Sequence, residues 1–526
     1  MSVAEGLTRR FLVKSGLAGA ALLAGGPLAA QNRASAAPKA GRYTGFIDRG
    51  TPAFLGIRYA NAERFARPQP VPFQGDPLQA TAFGPLAPQT GNQDEAQSED
   101  ALYLNVWTPE VDPRARRPVM VYFHGGAYAN GSVTDPLTHG PHLAAQGDVV
   151  VVSVNQRLNV LGYGWLAPYG ERFADSGNLG QLDLIAALRW VQDNIAAFGG
   201  DPGRVMVFGQ SGGGAKIATL MAMPAAKGLF HSAATMSGQQ VTASGPGNAR
   251  ARMIAYLAEL GLTEEDVGQL LTLPVERLVE GLAATDPILG GRVYFGPVLD
   301  MTNLPRHPFW PDAAQQSLGI PMILGNTLHE TRAFINPRGE QITTLDWQNL
   351  PERLAPQIKI DLDPRWVVAQ YRAQYPDWSP QEVFYAATTT GRSWPGQVIE
   401  ADERARAGAP GDSGATWVYQ LDRPSPVDPL RGAGHTDDLP YLFGTLDAEG
   451  SYSGTDERAR EISQQMMRAF TGLARTGRPG LDFWSNYTLP ERATLVIGEE
   501  ATRMVDDPRR WQRELWSLAP YIQPGS

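Results

Sequence analysis

Residues 209–213 read GQSGG, and they stand between RVMVF at 204–208 and GGGAKIATLMAM at 212–223. The first run is typical of a buried strand, and the second, rich in small residues, is typical of a helix. A serine at such a turn has a strained backbone, and the flanking glycines let strand and helix approach closely. The pattern predicts that Ser211 is a nucleophile. An isolated match would favour a plain tight turn, but the flanking strand and helix argue against that reading.

A glycine-rich loop follows an earlier strand-like run. Residues 118–123 read PVMVYF, and HGGAY follows at 124–128. Small residues at this place let backbone N–H groups approach a substrate, where they can stabilise a developing oxyanion. The alternative is a glycine turn that only connects two elements. Because the serine turn follows downstream, we predict that this loop donates N–H groups together with the residue after the nucleophile.

Further motifs follow one another in an order that resembles the bacterial type-B carboxylesterases, a branch of the α/β-hydrolase fold that also contains cholinesterases and para-nitrobenzyl esterases. They are FLGIRYA at 54–60, RFARP at 64–68, EDALYLNV at 99–106, NQRL at 155–158, NLGQLD at 178–183, DNI at 193–195 and ARTGRP at 474–479. Arg58 stands where the family usually has proline. The resemblance implies an α/β-hydrolase fold with a central, mostly parallel sheet flanked by helices. Helical insertions around 249–282 and 345–404 would form a cap or wall over the site.

The resemblance also implies a catalytic triad in the order serine, acidic residue, histidine. Glu330 follows a strand-like run, PMILGN at 321–326. His435 lies in GAGHTDDLPYLFG at 432–444, after the strand-like TWVYQL at 416–421. Both residues would therefore lie at carboxyl ends of strands, where open α/β sheets place their ligands.

These residues together predict a serine esterase. The serine would attack an ester carbonyl while the histidine takes its proton, and the acid would orient the imidazole. Carrying the oxyanion hole of the family onto the matching positions gives the N–H groups of Gly126, Ala127 and Gly212. This chemistry needs no metal and no organic cofactor, so we predict none.

Other residues compete for the roles of acid and base. Asp300 and Asp437 are alternative acids, but Asp300 has no triad role in the family pattern and Asp437 is too close in sequence to His435. His329 is the rival base, and its position beside Glu330 gives it poor geometry. Glu330 could also be a solvated loop carboxylate, a reading that the flanking motif disfavours.

Three departures from better-known relatives bear on the chemistry. Gln210 precedes the serine where many relatives carry glutamate, which should leave the base easier to deprotonate. The chain has no cysteine, and alanine occupies both positions, Ala87 and Ala101, that a disulfide joins in eukaryotic relatives. No aromatic residue lies between these alanines, so the loop with which cholinesterases hold quaternary ammonium has no counterpart. The resemblance also implies a structural ion pair between Glu99 and Arg64.

Residues 1–36 read as an export signal, and 37–526 as a single α/β-hydrolase domain. TRRFLVK at 8–14 is similar to a twin-arginine motif, and an A-x-A cleavage site follows at 34–36. The weakly apolar stretch at 16–30 is too short and too interrupted to span a bilayer. We therefore predict a twin-arginine-type signal that exports the protein to the periplasm or the extracellular medium, without stable membrane insertion after the signal is removed.

The chain is acidic, with a net charge of −9 that becomes −12 once residues 1–36 are removed. Such a charge argues against nucleic acid and anionic membrane surfaces as partners, and a neutral or cationic small-molecule ester is the expected substrate. A non-catalytic recognition protein on the same fold is the rival class, which the complete set of Ser211, Glu330 and His435 disfavours. Carbamates, amides, polyester oligomers and specialised natural-product esters stay open as alternative substrates, and the oligomeric state stays undetermined.

Overall fold

The computed structural model describes residues 33–92, 94–392, 394–408 and 415–525. The predicted twin-arginine motif at 8–14 and the apolar stretch at 16–30 lie outside these residues. The strands of the described chain are β1 (Arg33–Ala36), β2 (Gly41–Asp48), β3 (Thr51–Arg58), β4 (Ala60–Asn61), β5 (Gln69–Pro70), β6 (Gln74–Gln79), β7 (Tyr103–Trp107), β8 (Arg117–Phe123), β9 (Val150–Val154), β10 (Gly200–Gln210), β11 (Ser232–Met236), β12 (Met322–Thr327), β13 (Thr416–Leu421), β14 (Ala493–Ile497) and β15 (Thr502–Asp506).

Helices connect these strands and fill the two predicted insertions. They are α1 (Pro141–Gly147), α2 (Asn159–Tyr163), α3 (Leu179–Asn194), α4 (Gly212–Leu220), α5 (Pro246–Glu259), α6 (Val275–Glu280), α7 (Glu340–Thr343), α8 (Leu350–Leu354), α9 (Pro364–Gln374), α10 (Pro380–Thr390), α11 (Trp394–Arg406), α12 (Leu439–Phe443), α13 (Glu457–Thr476) and α14 (Arg510–Trp516). The strand and the helix predicted on either side of Ser211 are thus present as β10 and α4.

One large sheet organises the molecule. Its strands follow the order β1-β2-β3-β7-β9-β8-β10-β11-β12-β13-β14-β15, with β6 beside β2. The strands from β9 to β14 in this order are parallel, whereas β1, β2, β3 and β7 pair antiparallel on one side and β15 does so on the other. This mostly parallel sheet, flanked by helices, is the architecture that the sequence predicts.

Two apolar cores cover the two faces of the sheet. In β8, Val119, Val121 and Phe123 belong to the core that contains α3 and α4, and Met120 and Tyr122 belong to the core that contains α12 and α13. The alternation follows from the two-residue period of a strand, and burial on both faces explains the continuous apolar run in the sequence. The carboxyl ends of the parallel strands therefore open at one edge of a rigid, doubly covered layer.

A third core lies in a helical lobe, by which we mean α8, α9, α10 and α14. Trp516 is buried there, and its indole N–H lies 3.1 Å from the Tyr371 hydroxyl and 2.9 Å from the Thr390 hydroxyl. The hydroxyl of Thr331 approaches the Thr388 hydroxyl at 2.7 Å. Because Thr331 follows Glu330, the lobe is attached directly to the segment that carries the predicted acid.

The loop between Ala87 and Ala101 closes without a disulfide. The two alanines are buried and pack with Leu158 in a small apolar cluster. The Gln89 side chain joins this loop to Gly131, since its oxygen accepts the Gly131 N–H at 2.7 Å and its nitrogen donates to the Gly131 carbonyl at 3.1 Å. Apolar contact and amide hydrogen bonds thus occupy the place of the crosslink.

Two other sequence predictions meet the structure near the start of the domain. The Arg64 guanidinium forms the expected ion pair with Glu99, with one Nε–Oε2 distance of 2.8 Å. The last four residues of the predicted signal peptide form β1, in which Ala36 lies opposite Tyr43 of β2. The site of signal cleavage stays a prediction.

Candidate active site

Ser211 lies at the turn between β10 and α4. Its backbone has φ 54° and ψ −124°, a conformation that residues with a side chain seldom adopt. Its N–H group donates to the carbonyl of Met236, at the end of β11, at 2.7 Å. A Cβ atom at Gly213 would lie 1.9 Å from the carbonyl oxygen of Phe123. Glycine at position 213 is therefore required for α4 to begin directly against β8. This contact places Ser211 at the carboxyl edge of the sheet.

The oxyanion loop, which we define as residues 124–127, leaves β8 and folds against the start of α4. Gly126 has φ 82° and Ala127 has φ 54°. A Cβ atom at Gly212 would lie 2.1 Å from the carbonyl oxygen of Ala127, so the loop and the helix are in direct contact. Within the described residues, the N–H groups of Gly126, Ala127 and Gly212 donate no hydrogen bond. The three predicted donors are therefore brought together beside the serine with their N–H groups unpaired.

Glu330 and His435 meet at the ends of β12 and of the loop after β13. Nδ1 of His435 donates to Oε2 of Glu330, and Oε1 accepts from the Ser237 hydroxyl and from the Thr327 N–H, both at 2.7 Å. Burial acts to raise the pKa of Glu330, but His435 and these hydrogen bonds outweigh it and hold the pKa below its ordinary value. An ionised carboxylate in this place keeps the imidazole proton on Nδ1 and leaves the Nε2 lone pair free to accept.

Gln210 contacts the other nitrogen of the imidazole. Its side-chain amide nitrogen donates to Nε2 of His435 at 3.0 Å, and both side chains are buried. In the described part of the chain, the Ser211 hydroxyl makes no hydrogen bond to His435. Gln210 is thus a direct hydrogen-bond partner of the predicted base. A glutamate at this position, as in many relatives, would place a carboxylate against the imidazole.

The alternative acids and the rival base have other partners. Asp300 accepts from the N–H groups of Asn303 and Leu304 at 2.8 and 2.9 Å, which caps its own loop. Asp437 pairs with the Arg431 guanidinium at 2.8 Å. His329 accepts the N–H of a loop residue, Ala433, at 3.2 Å. Burial, and to a smaller extent two nearby arginines, lowers the pKa of His329 to about 3. Glu330 is therefore the carboxylate that contacts His435.

Two polar residues of the site escaped sequence reasoning. Ser237 follows β11 with φ 52° and holds Glu330 in place. Asp438 is buried and accepts from the Tyr419 hydroxyl at 2.7 Å, and burial raises the pKa of Asp438 to about 7. Ser237 could have been found, because β11 is a buried run parallel to β10 and its end must open at the same edge. The spacing of Asp438 from the histidine carries no comparable signal.

A cavity borders the oxyanion loop and Gln210, and an aromatic ring lies beside the predicted base. A cavity of about 350 Å³ is lined by Gly126, Gln210 and Asp135, among others. The Phe334 ring lies 4.7 Å from the imidazole of His435 and is 55% exposed. The cavity therefore reaches the oxyanion loop and the partner of His435, and Phe334 offers an exposed aromatic surface beside the imidazole.

The described residues contain no cluster of three or more histidine, cysteine or carboxylate side chains arranged to hold a metal ion. Among the described helices, none combines the length and the apolar character that a membrane-spanning segment needs.

Known proteins resemble this chain in sequence and in fold. The sequence model of the carboxylesterase family matches residues 39–516. The chain is 34% identical to the para-nitrobenzyl esterase of Bacillus subtilis, over 90% of this chain and 96% of that one. It is 32% identical to the phenmedipham hydrolase of Pseudarthrobacter oxydans, over 87% and 88%. The crystal structure of a Geobacillus stearothermophilus carboxylesterase is similar with a TM-score of 0.80 and 33% identity, over 92% of this chain and 99% of that one.

Proposed function

The chain belongs to the carboxylesterase family and is a serine carboxylic-ester hydrolase, and from this premise we propose that it acts through an acyl-enzyme formed on Ser211. The single observation that carries the assignment of Ser211 as nucleophile is its strained turn. This turn sets Ser211 beside the oxyanion loop and next to Gln210, which contacts His435. The backbone conformation of Ser211 is costly for a residue with a side chain, which supports the inference that the serine is kept there for its hydroxyl.

The proposed reaction begins when Nε2 of His435 exchanges its hydrogen bond from the Gln210 amide for one from the Ser211 hydroxyl. The Ser211 oxygen then attacks the ester carbonyl while Nε2 takes the hydroxyl proton. The ionised Glu330 stabilises the imidazolium that forms, because its oxygen already accepts the Nδ1 proton. The alcohol then leaves with the proton from Nε2. Water attacks the acyl group by the same route in reverse and releases the acid.

The unpaired N–H groups of Gly126, Ala127 and Gly212 receive the negative charge that develops on the carbonyl oxygen. Loss of one donor of this kind typically removes about 3 kcal/mol of transition-state stabilisation. Gly212 is buried, and Gly126 and Ala127 are half-buried. An unpaired donor in such a place is costly, which fits a ligand that accepts from these N–H groups. No metal or organic cofactor enters this reaction.

The substrate is proposed to be a neutral or cationic ester of modest size, which fits the acidic chain and the cavity beside Gln210 that includes Asp135. An aryl group fits against Phe334, as para-nitrobenzyl esters would present. We further propose that residues 1–36 direct export to the periplasm or the extracellular medium, leaving 37–526 as one catalytic domain.

The nucleophile is tested with Ser211→Ala. This variant should lose para-nitrophenyl acetate turnover by about 10³-fold or more and lose labelling by a fluorophosphonate probe, while its circular dichroism and melting temperature stay close to those of the native protein. Turnover that persists in a clean preparation would refute the assignment of this serine. Export is tested separately, since Arg9→Lys combined with Arg10→Lys should retain the protein in the cytoplasm.

A further inference from the structure

Helix α4 carries a buried lysine for which the proposed reaction has no use. Lys216 lies on the second turn of the helix that begins with Gly212, and its side chain is 0% exposed. The described residues offer it no salt bridge, and its ammonium instead meets backbone carbonyl groups and an aromatic ring. Burying a cation without a carboxylate partner costs free energy of folding. A lysine at this position therefore suggests a role that offsets the cost.

The partners of this lysine all belong to the oxyanion loop and its next residue. Nζ of Lys216 donates to the carbonyl of His124 at 3.1 Å and to that of Ala127 at 2.7 Å. It also lies 5.5 Å from the centroid of the Tyr128 ring. The two accepting carbonyls stand at the two ends of the loop, so one ammonium holds both ends and leaves Gly125 and Gly126 between them.

We propose that Lys216 is a positioning residue of the oxyanion hole, which fixes the loop donors relative to the helix donor. The inference rests on the proposed function. The oxyanion hole has two halves, since Gly126 and Ala127 belong to the loop and Gly212 belongs to helix α4. The halves touch where a Cβ on Gly212 would lie 2.1 Å from the carbonyl oxygen of Ala127. The same carbonyl oxygen receives the ammonium of Lys216, so this side chain ties the two halves of the hole together.

The charge of the ammonium adds to the hydrogen bonds. Burial lowers the pKa of Lys216 to about 7, so the group is cationic up to neutral pH. The neighbouring His124 adds no charge, because burial and then Lys216 lower the pKa of His124 to about 3. Its Nδ1 donates to the Gly125 carbonyl and its Nε2 accepts from the Gln156 amide, both at 2.9 Å. Where the ammonium is protonated, its positive charge behind the loop favours the oxyanion more than the neutral ester.

Two variants separate positioning from folding. Lys216→Met keeps the length of the side chain and removes its donors and charge, and Lys216→Gln keeps amide donors on a shorter chain and is the safer variant for folding. Lys227→Met is the matched control, since Lys227 is an exposed lysine just beyond the same helix. For each protein, kcat and KM for para-nitrophenyl acetate are measured together with inhibition by an aryl trifluoromethyl ketone, which presents an oxyanion once serine adds to it.

For Lys216→Met we expect kcat to fall by about 10- to 100-fold, KM to change by less than about 3-fold, and the ketone to bind more weakly by a factor similar to that of kcat. Lys216→Gln should fall between this variant and the native protein, and Lys227→Met should equal the native protein. Native kcat in a folded Lys216 variant, or a loss of kcat without weaker ketone binding, would overturn the proposal. Failure of the proposed function itself would be distinct, because Ser211→Ala would then retain turnover whatever occupies position 216.

Discussion

The carboxyl edge of the sheet and the helical lobe beside it are held together by different kinds of interaction. At the edge, residues with side chains adopt positive φ, as Ser211, Ala127 and Ser237 do, and glycines admit contacts that no Cβ could make. In the lobe, regular helices pack aromatic side chains such as Tyr371 and Trp516. Backbone geometry admits few residue types, whereas apolar packing admits many. Changes at the edge should therefore act on kcat, and changes near the lobe on substrate choice.

The largest effect is expected for Glu330→Gln. Glutamine keeps the shape of the acid but cannot compensate the imidazolium, so kcat should fall by about 10³- to 10⁴-fold with little change in KM. Steady-state kinetics with one neutral ester measure both constants. Asp300→Asn, which removes a loop-capping carboxylate, should leave kcat near the native value. A near-normal kcat for Glu330→Gln would move the role of the acid to Asp300 or Asp437. It would also contradict the expectation that changes at the carboxyl edge act on kcat.

A smaller loss is expected for Ser237→Ala. The hydroxyl donates to Glu330 at 2.7 Å, and loss of a hydrogen bond to a buried charge should reduce kcat by about 10-fold through a less firmly held carboxylate. Ser463→Ala, which removes another buried hydroxyl in helix α13, serves as the control and should leave kcat unchanged. Equal kcat values for the two variants would show that the Thr327 N–H and His435 hold Glu330 without help from the Ser237 hydroxyl.

The residues of the carboxyl edge could be predicted from the sequence, whereas the packing of the helical lobe could not. Both outcomes follow from how many residue types each kind of interaction admits. The turn at Ser211 and the loop at Gly126 demand glycine, which marks them in the chain, and Glu330 and His435 follow runs that become β12 and β13. Lys216 was visible in the sequence of α4, but nothing in the pattern indicates that it turns back to the oxyanion loop. In the lobe, helices were expected around 345–404, yet their packing depends on apolar size and shape, which leave no periodic or spaced signature.

Phe334 lies where the two regions meet, close to the base and just beyond the segment bound to the lobe. Phe334→Ala should raise KM for an aryl ester by about 2- to 10-fold, the range set by the loss of one aromatic contact, and should change KM for a small alkyl ester less. Phe483→Ala is the control, because Phe483 is similarly exposed elsewhere. If both esters respond alike, Phe334 shapes the base rather than the substrate site.

The smallest expected effect is a shift in a pH profile. In Gln210→Glu the new carboxylate would lie near Nε2 of His435, where the native amide stands at 3.0 Å. Opposite charge stabilises imidazolium and raises its pKa, so the acid limb of kcat/KM should move upward by about half a unit to one unit. Profiles from about pH 5 to 9 measure the shift. Gln348→Glu adds the same charge at an exposed site and should not move the limb, and a coincident or lowered limb in Gln210→Glu would contradict the contact.

The loop closed by Gln89 gives the protein an independence from its redox surroundings. Where relatives join two cysteines, Ala87 and Ala101 pack together, and amide hydrogen bonds tie the segment to Gly131 beside the oxyanion loop. Such bonds form as the chain folds and need no oxidant, whereas a disulfide needs one to form and can be lost to thiols. With no cysteine in the chain, thiol reductants have no bond to break. We therefore expect this loop to close in the same way in a cell extract rich in glutathione and in air-oxidised medium.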